Sequence, residues 1–174
     1  MKVKYLFLII SLLFANNSFA QSPKVPYKDV GACPFECCLY RQWTANKNIT
    51  LYKQMSEKSA IAFRIKRREK VTGMTGVVIT SEAGTVKALK DFTFPESKTP
   101  IKAGEIFYIL TYYGEGYYQV FYNGKYFMEE VFDQDHMKVL SNPKTVWWAK
   151  IKNRKGQIGW TKLPENFDNK DSCS

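Results

Sequence analysis

Three of the four cysteines crowd into one short stretch, Cys33-Pro-Phe-Glu-Cys37-Cys38, and the fourth, Cys173, stands next to the last residue. In an oxidising compartment an even set of this kind is expected to close two disulfides. A bond between the adjacent Cys37 and Cys38 is strained and disfavoured. One bond is therefore expected inside the 33–38 knot and the other from the knot to Cys173; which cysteine takes which partner stays open. Closing so long a loop stabilises by up to ~4–5 kcal/mol in the chain-entropy model. The clustered sulfurs lack ordinary zinc spacing. No metal and no cofactor is expected.

That reading needs an exported chain, and the first twenty residues supply the argument. Lys2 and Lys4 precede the apolar run Leu6 to Phe14, and Ser18-Phe19-Ala20 offers small residues where a signal peptidase cuts. Residues 1–20 are expected to be a secretory signal, and the mature protein to be periplasmic or secreted. No cysteine near the cut points to a lipid anchor, and no later run is long and apolar enough to span a membrane. Of 26 basic residues two lie in the signal, leaving 24 against 16 acidic ones, a net charge of +8. Outside the cytoplasm such a charge favours wall polymers, lipid headgroups or acidic proteins over nucleic acid.

The mature chain alternates in short β-like runs, among them Ile49 to Tyr52, Gly76 to Thr80 and Thr85 to Leu89. Ile106 to Tyr113 is apolar almost throughout, as a strand covered on both faces would be. Tyr117 to Glu130 folds back around Asn123-Gly124, a strong hairpin signal. Asp133 to Pro143 is polar, with room for one helical turn. Val146 to Leu163 reads as a second hairpin. If its loop is Asn153 to Gly156, Ala149 faces Trp160 and Ile151 faces Ile158, giving an apolar face that Trp147 joins. Trp148 then stands among Lys150, Lys152, Gln157 and Thr161. No long amphipathic helix is visible, so the class is mainly β.

An internal repeat adds organisation. Ile65-Lys66-Arg67-Arg68-Glu69 matches Ile101-Lys102-Ala103-Gly104-Glu105, and upstream Ile49 to Tyr52 is aligned with Val86 to Leu89. Each unit reads as a strand, a polar loop, then an Ile-Lys-x-x-Glu approach to a second strand.

The residues Ile101 to Glu105, Trp148-Ala149-Lys150-Ile151, Gly156 and Gly159-Trp160 resemble the bacterial SH3-like (SH3b) domain. The knot with Tyr117 to Lys125 is similar to small exported bacterial SH3-containing proteins of undefined function. The resemblance covers the second unit well and the first loosely, since the first lacks a Gly-Trp ending. It implies small five-stranded barrels that bind peptides or cell-wall material and carry no chemistry. The expected architecture is two SH3-like β-barrel units packed together, with disulfide-stapled termini. The division is an extended segment with the knot (21–42), a degenerate first unit (43–94), a second unit (95–167) with an insertion (113–145), and a tail (168–174). The tryptophan hairpin is assigned to the second unit, with Trp160 as a packing residue.

Catalytic groups are sparse. His136 is the sole histidine, no Gly-x-Ser-x-Gly elbow exists, and every cysteine is expected to be oxidised. Glu129-Glu130 and Asp133 with Asp135 are carboxylate pairs by sequence only, and a glycosidase needs two across a cleft. No catalytic residue is assigned, and no enzyme is expected. Two surface features remain. Arg64, Lys66, Arg67, Arg68 and Lys70 form a basic stripe, suited either to anions or to protecting an edge strand. Aromatic residues are dense from Tyr112 to Tyr126, and an SH3-like groove clamps extended chains with rings. Tyr113, Tyr117, Trp148 and Lys150 are the expected ligand-binding residues. The expected partner is a peptidoglycan peptide or another extended anionic ligand. The alternative is an envelope protein bound or inhibited through the 113–145 segment.

Overall fold

The computed structural model describes residues 21–131, 135–162 and 164–173; the expected signal peptide lies outside the described residues. The protein is mainly β, and the described residues contain no α-helix. No helix among them is long and apolar enough to cross a membrane. In chain order the strands begin with β1 (Tyr27–Val30), β2 (Gln42–Ala45), the hairpin β3 (Ile49–Tyr52) and β4 (Ile61–Ile65), and the long β5 (Lys70–Glu82). There follow β6 (Gly84–Ala88), the short pair β7 (Phe92–Thr93) and β8 (Pro100–Ile101), then β9 (Ile106–Gly114), β10 (Tyr117–Tyr122), β11 (Lys125–Glu130) and β12 (Met137–Ser141). The chain closes with β13 (Lys144–Lys152), β14 (Ile158–Thr161), a 3-10 turn at Pro164–Asn166 and β15 (Phe167–Asp168).

Two sheets carry the fold. The larger runs β15-β2-β5-β13-β14-β3-β4, with β1 also on β5, and the other runs β11-β10-β9-β6-β12. The chain builds both in one order: a first strand, a hairpin, the Ile-Lys-x-x-Glu turn, a long strand, two antiparallel strands, and a closing strand back on the first. The hairpin β3–β4 joins the larger sheet through β14, whereas β7–β8 stands as a separate two-stranded sheet. The two turns match bond for bond. Lys66 N donates to Glu69 Oε2 at 3.0 Å and Lys102 N to Glu105 Oε2 at 2.7 Å. Arg68 N donates to Ala45 O, and Gly104 N to Ala88 O. These bonds align β2 with β6, and therefore not Ile49 to Tyr52 with Val86 to Leu89, as the sequence repeat was aligned.

The tryptophan hairpin changes place. β13 pairs along β5 from Lys144↔Glu82 to Lys152↔Thr72, so the hairpin completes the first sheet, not the second. The second sheet is inserted whole between β5 and β13. Residues 84–88 open that second sheet, Tyr117 to Glu130 form two of its strands rather than part of an insertion, and 137–141 is a strand rather than a helical turn. The physical reason is that β5 has two long edges, and short-range pattern does not say which distant strand fills each.

The hairpin's register also shifts by one residue: Ala149 pairs with Thr161, Lys150 with Trp160 and Ile151 with Gly159. Asn153 causes this. Its buried Oδ1 accepts from Lys155 N at 3.0 Å and Gln157 N at 2.9 Å, drawing Gln157 into the turn. Because a one-residue slip exchanges faces, Trp160 leaves the Ala149 face and Lys150 lies over its ring, 5.6 Å from the centroid. Trp147 keeps its expected face, packing with Trp43, Leu51, Ile65, Ile151 and Phe167 in the first core. Trp148 is buried, only 6% exposed. The second core gathers Val86, Phe94, Phe107, Ile109 and Val120.

Candidate functional site

Both disulfides form: Cys33 with Cys38 inside the knot, and Cys37 with Cys173 across 136 residues. The tail is then clamped. Leu39 N donates to Lys170 O at 2.7 Å, Ser172 N to Cys37 O at 2.9 Å, and Arg41 Nε to Asn169 O at 3.0 Å. Phe35, at the centre of the knot, and Lys170, from the tail, are thereby brought to the same place.

That place is an open cleft of about 500 Å³ on the first unit, walled by Phe35, Val146, Trp147 and Pro164 and edged by Lys162 and Lys170. Trp147 reaches it because β13 begins there, directly after the second sheet hands the chain back. Its indole meets Phe35 edge-on at 5.8 Å and Trp43 at 6.2 Å. Trp147 Nε1 donates to Tyr40 Oη at 3.2 Å, and Tyr40 in turn donates to Ala32 O. Burial pushes the Tyr40 phenol up to about 12; the Trp147 bond opposes this and Asp29 adds to it. The polar tips of both rings meet over β5 at Gly76, where a Cβ would stand 2.2 Å from Tyr40 Oη and 2.3 Å from Trp147 Nε1. Only a residue without a side chain fits there.

The cleft's charge is mixed. Lys162 pairs with Glu57 on the β3–β4 connection, and Glu165 also lines the cleft. Lys170 donates to Pro164 O at 2.8 Å and sits 5.9 Å over the Phe35 ring. Burial lowers its pKa; Glu165, Asp168 and Asp171 pull the other way. An ammonium that has lost water and bonds one carbonyl keeps two donors for an incoming carboxylate.

The residues chosen from sequence divide between three places. Tyr113 and Tyr117 share a separate cleft of about 310 Å³ with Glu36, Glu115 and Met128. The Tyr113 hydroxyl is spent on Asp29, tying β9 to β1, and burial with that bond raises its pKa. Trp148 is buried and Lys150 covers Trp160, so neither stands with the two tyrosines. Sequence reasoning named Trp148 and missed its neighbour Trp147, together with Phe35 and Lys170. Only Trp147 had a local signal, Gly76 inside a β-branched run, where a Cβ would meet the indole; nothing in the sequence marked Phe35 or Lys170.

Two further groupings bear on chemistry. No free cysteine exists, so no described sulfur is a thiolate nucleophile. Glu36, Cys37 and Cys173 lie within metal-ligand range of one another, but the two sulfurs are bonded together and leave only one carboxylate. His136 lines a cavity of about 310 Å³ with Phe92, Phe94, Glu130 and Met137, its ring 6.4 Å from that of Phe92. Glu129 is fully buried and accepts from the backbone N–H groups of Glu96 and Ser97, which fixes the β7–β8 connection. No protein-family model matches the chain, and no curated protein or solved structure matches it either.

Proposed function

We propose that the protein is a non-enzymatic, exported binding module of two SH3-like units, and that it captures a cell-wall peptide or another extended ligand bearing carboxylates. Support for two related units is the element order that repeats along the chain, with the second set of strands carried inside the first. The observation that carries the binding role is the Phe35–Trp147–Pro164 cleft with Lys170 at its edge. Flat rings hold an extended backbone, and the partly dehydrated ammonium gains most from a carboxylate. Two disulfides fix the cleft walls in advance and reduce the ordering cost of binding. Disulfides are compatible with a periplasmic or extracellular location.

The test is binding of the oxidised protein to isolated peptidoglycan and to soluble stem peptides at low and high salt. Binding is expected to weaken with salt and to fall at least ~10-fold in Trp147→Ala, the loss of one aromatic anchor. Salt-insensitive binding, or binding that Trp147→Ala leaves intact, refutes the cleft. A second reading, an envelope protein-interaction module, is favoured by one observation. β11 and β12 are the outer strands of the second sheet, and they expose Met128 and Leu140, each 52% accessible. Such edges can take an added strand. Met128→Lys with Leu140→Lys would abolish that mode and leave peptide binding unchanged.

A further inference from the structure

A second concave surface lies on the first unit, where the 66–69 turn meets the β13–β14 turn. It encloses about 440 Å³ and is lined by Arg64, Lys66, Arg154 and Lys155, with Asn153 and Gln157 between them. The one acid that lines it, Glu69, has its carboxylate committed to Lys66 N. Among the described residues no carboxylate forms an ion pair with these four cations, nor with Arg67 and Arg68 on the same turn.

The molecule contains its own control. The matching turn of the second unit reads Lys102-Ala103-Gly104-Glu105, with the same backbone bonds. There the single cation, Lys102, is neutralised by Asp91 at 2.8 Å, and Gly104 takes the positive φ of 88°. In the first unit Arg68 holds that position at φ 69°, in the left-handed region where glycine is favoured. A turn that works with Lys-Ala-Gly is thus built with Lys-Arg-Arg, against backbone preference and, among the described residues, with no ion pair to its cations; Glu69 is the one carboxylate against several cations. Edge protection explains Arg64, because β4 is an outer strand. It does not explain Arg67, Arg68, Arg154 and Lys155, which stand on turns.

From this we infer that the surface is a second binding site, for a polymer of phosphodiesters or a like chain with phosphate repeated along it. Guanidinium groups bind phosphate oxygens in pairs, and several cations spread over two rigid turns suit a repeated charge better than one isolated ion. The turns are fixed in advance. Asn153 bonds Lys155 N and Gln157 N, while Arg67 N donates to Asn48 Oδ1 at 2.9 Å. The site is separate from the Phe35–Trp147 cleft and independent of what that cleft binds.

The experiment titrates the oxidised full-length protein with long-chain polyphosphate, inorganic phosphate, and vesicles of phosphatidylcholine with and without phosphatidylglycerol. Polyphosphate is expected to bind with a log-log salt slope near −3, from four contacts at about 0.7 counterions each. Arg154→Ala with Lys155→Ala should weaken it by 10-fold or more. Arg68→Gly should weaken it too while leaving the fold at least as stable, since it relieves the positive φ. Lys102→Ala should change nothing. Affinity for inorganic phosphate equal to that for the polymer, binding to anionic vesicles alone, or polymer binding that these arginine and lysine variants leave intact would each overturn the assignment.

Discussion

Gly76→Ala tests whether the cleft is built as described. The new methyl carbon would lie 2.2 Å from Tyr40 Oη, 2.3 Å from Trp147 Nε1 and 3.1 Å from Ala32 O, where ordinary contact is roughly 3.5 Å. Neither ring can simply retreat: Tyr40 is 5.7 Å from Trp43, and Trp147 is wedged between Trp43 and Phe35. Overpacking of this kind costs about 1–3 kcal/mol. Separating the rings also sacrifices the Trp147–Tyr40 and Tyr40–Ala32 hydrogen bonds, about 1 kcal/mol each. Alanine returns about 0.4–1 kcal/mol by restricting the unfolded chain. The net loss is about 2–4 kcal/mol. With a urea slope of about 2 kcal/mol/M, the unfolding midpoint drops by about 1–2 M. Adding Tyr40→Phe removes the oxygen nearest the methyl and should recover part of the loss, a coupling that a double-mutant cycle reads directly. A midpoint shift under about 0.3 M, with tryptophan emission unchanged, would refute the packing of Tyr40 and Trp147 on β5.

Two other outcomes follow from the same geometry. Cys173→Ser opens the 136-residue loop and should lower stability by about 5 kcal/mol on chain-entropy grounds. It should also weaken the peptide binding proposed for the cleft by freeing Lys170; unfolding curves and peptide titration check both, and an unchanged affinity would show that the tail is held without the bond. In alkali, Tyr40 is neutral in the fold up to about 12, above its ordinary value of 10.0. Its stabilisation is therefore complete below pH 10 and lost as pH rises from 10 towards 12. Ultraviolet titration of phenolate should show a late-ionising class containing Tyr40, and a single transition near pH 10 with tertiary structure intact would contradict its burial.

Local chemistry was legible in the sequence and long-range pairing was not. Asn123-Gly124 marked a hairpin and forms one, with both residues at positive φ. The Ile-Lys-x-x-Glu repeat marked two turns that share the same hydrogen bonds, because the glutamate needs only the amide three residues before it. The cysteine count led to the knot and its tie to the tail. The tryptophan hairpin was seen, yet its register turned on one amide side chain, Asn153, and its sheet on β5, more than sixty residues back in sequence. The cleft was beyond reach for a related reason. Phe35, Trp147 and Lys170 come from three remote segments, and no periodicity records that a disulfide brings the first and last together.

The nested order explains why the cleft stands where it does. The chain leaves the first sheet at Glu82 and returns at Lys144, so Val146 and Trp147 line the cleft just beyond the return from the second sheet. A connection of that length would leave the β13 end of the cleft loosely held if nothing else tied the sheets together. Tyr113 on β9 does so by reaching Asp29 on β1, while within the first sheet the β5–β13 junction is closed by Ser81 Oγ donating to Lys144 O at 3.2 Å and Lys144 Nζ pairing with Glu82 at 2.9 Å. The opposite wall is held by the knot and tail. Each sheet alone has a small core, of a size that commonly depends on staples or partners. Around Trp147 that support comes from the disulfide-held knot and tail on one side and the β5–β13 pairing on the other, although the residues involved lie far apart in the chain.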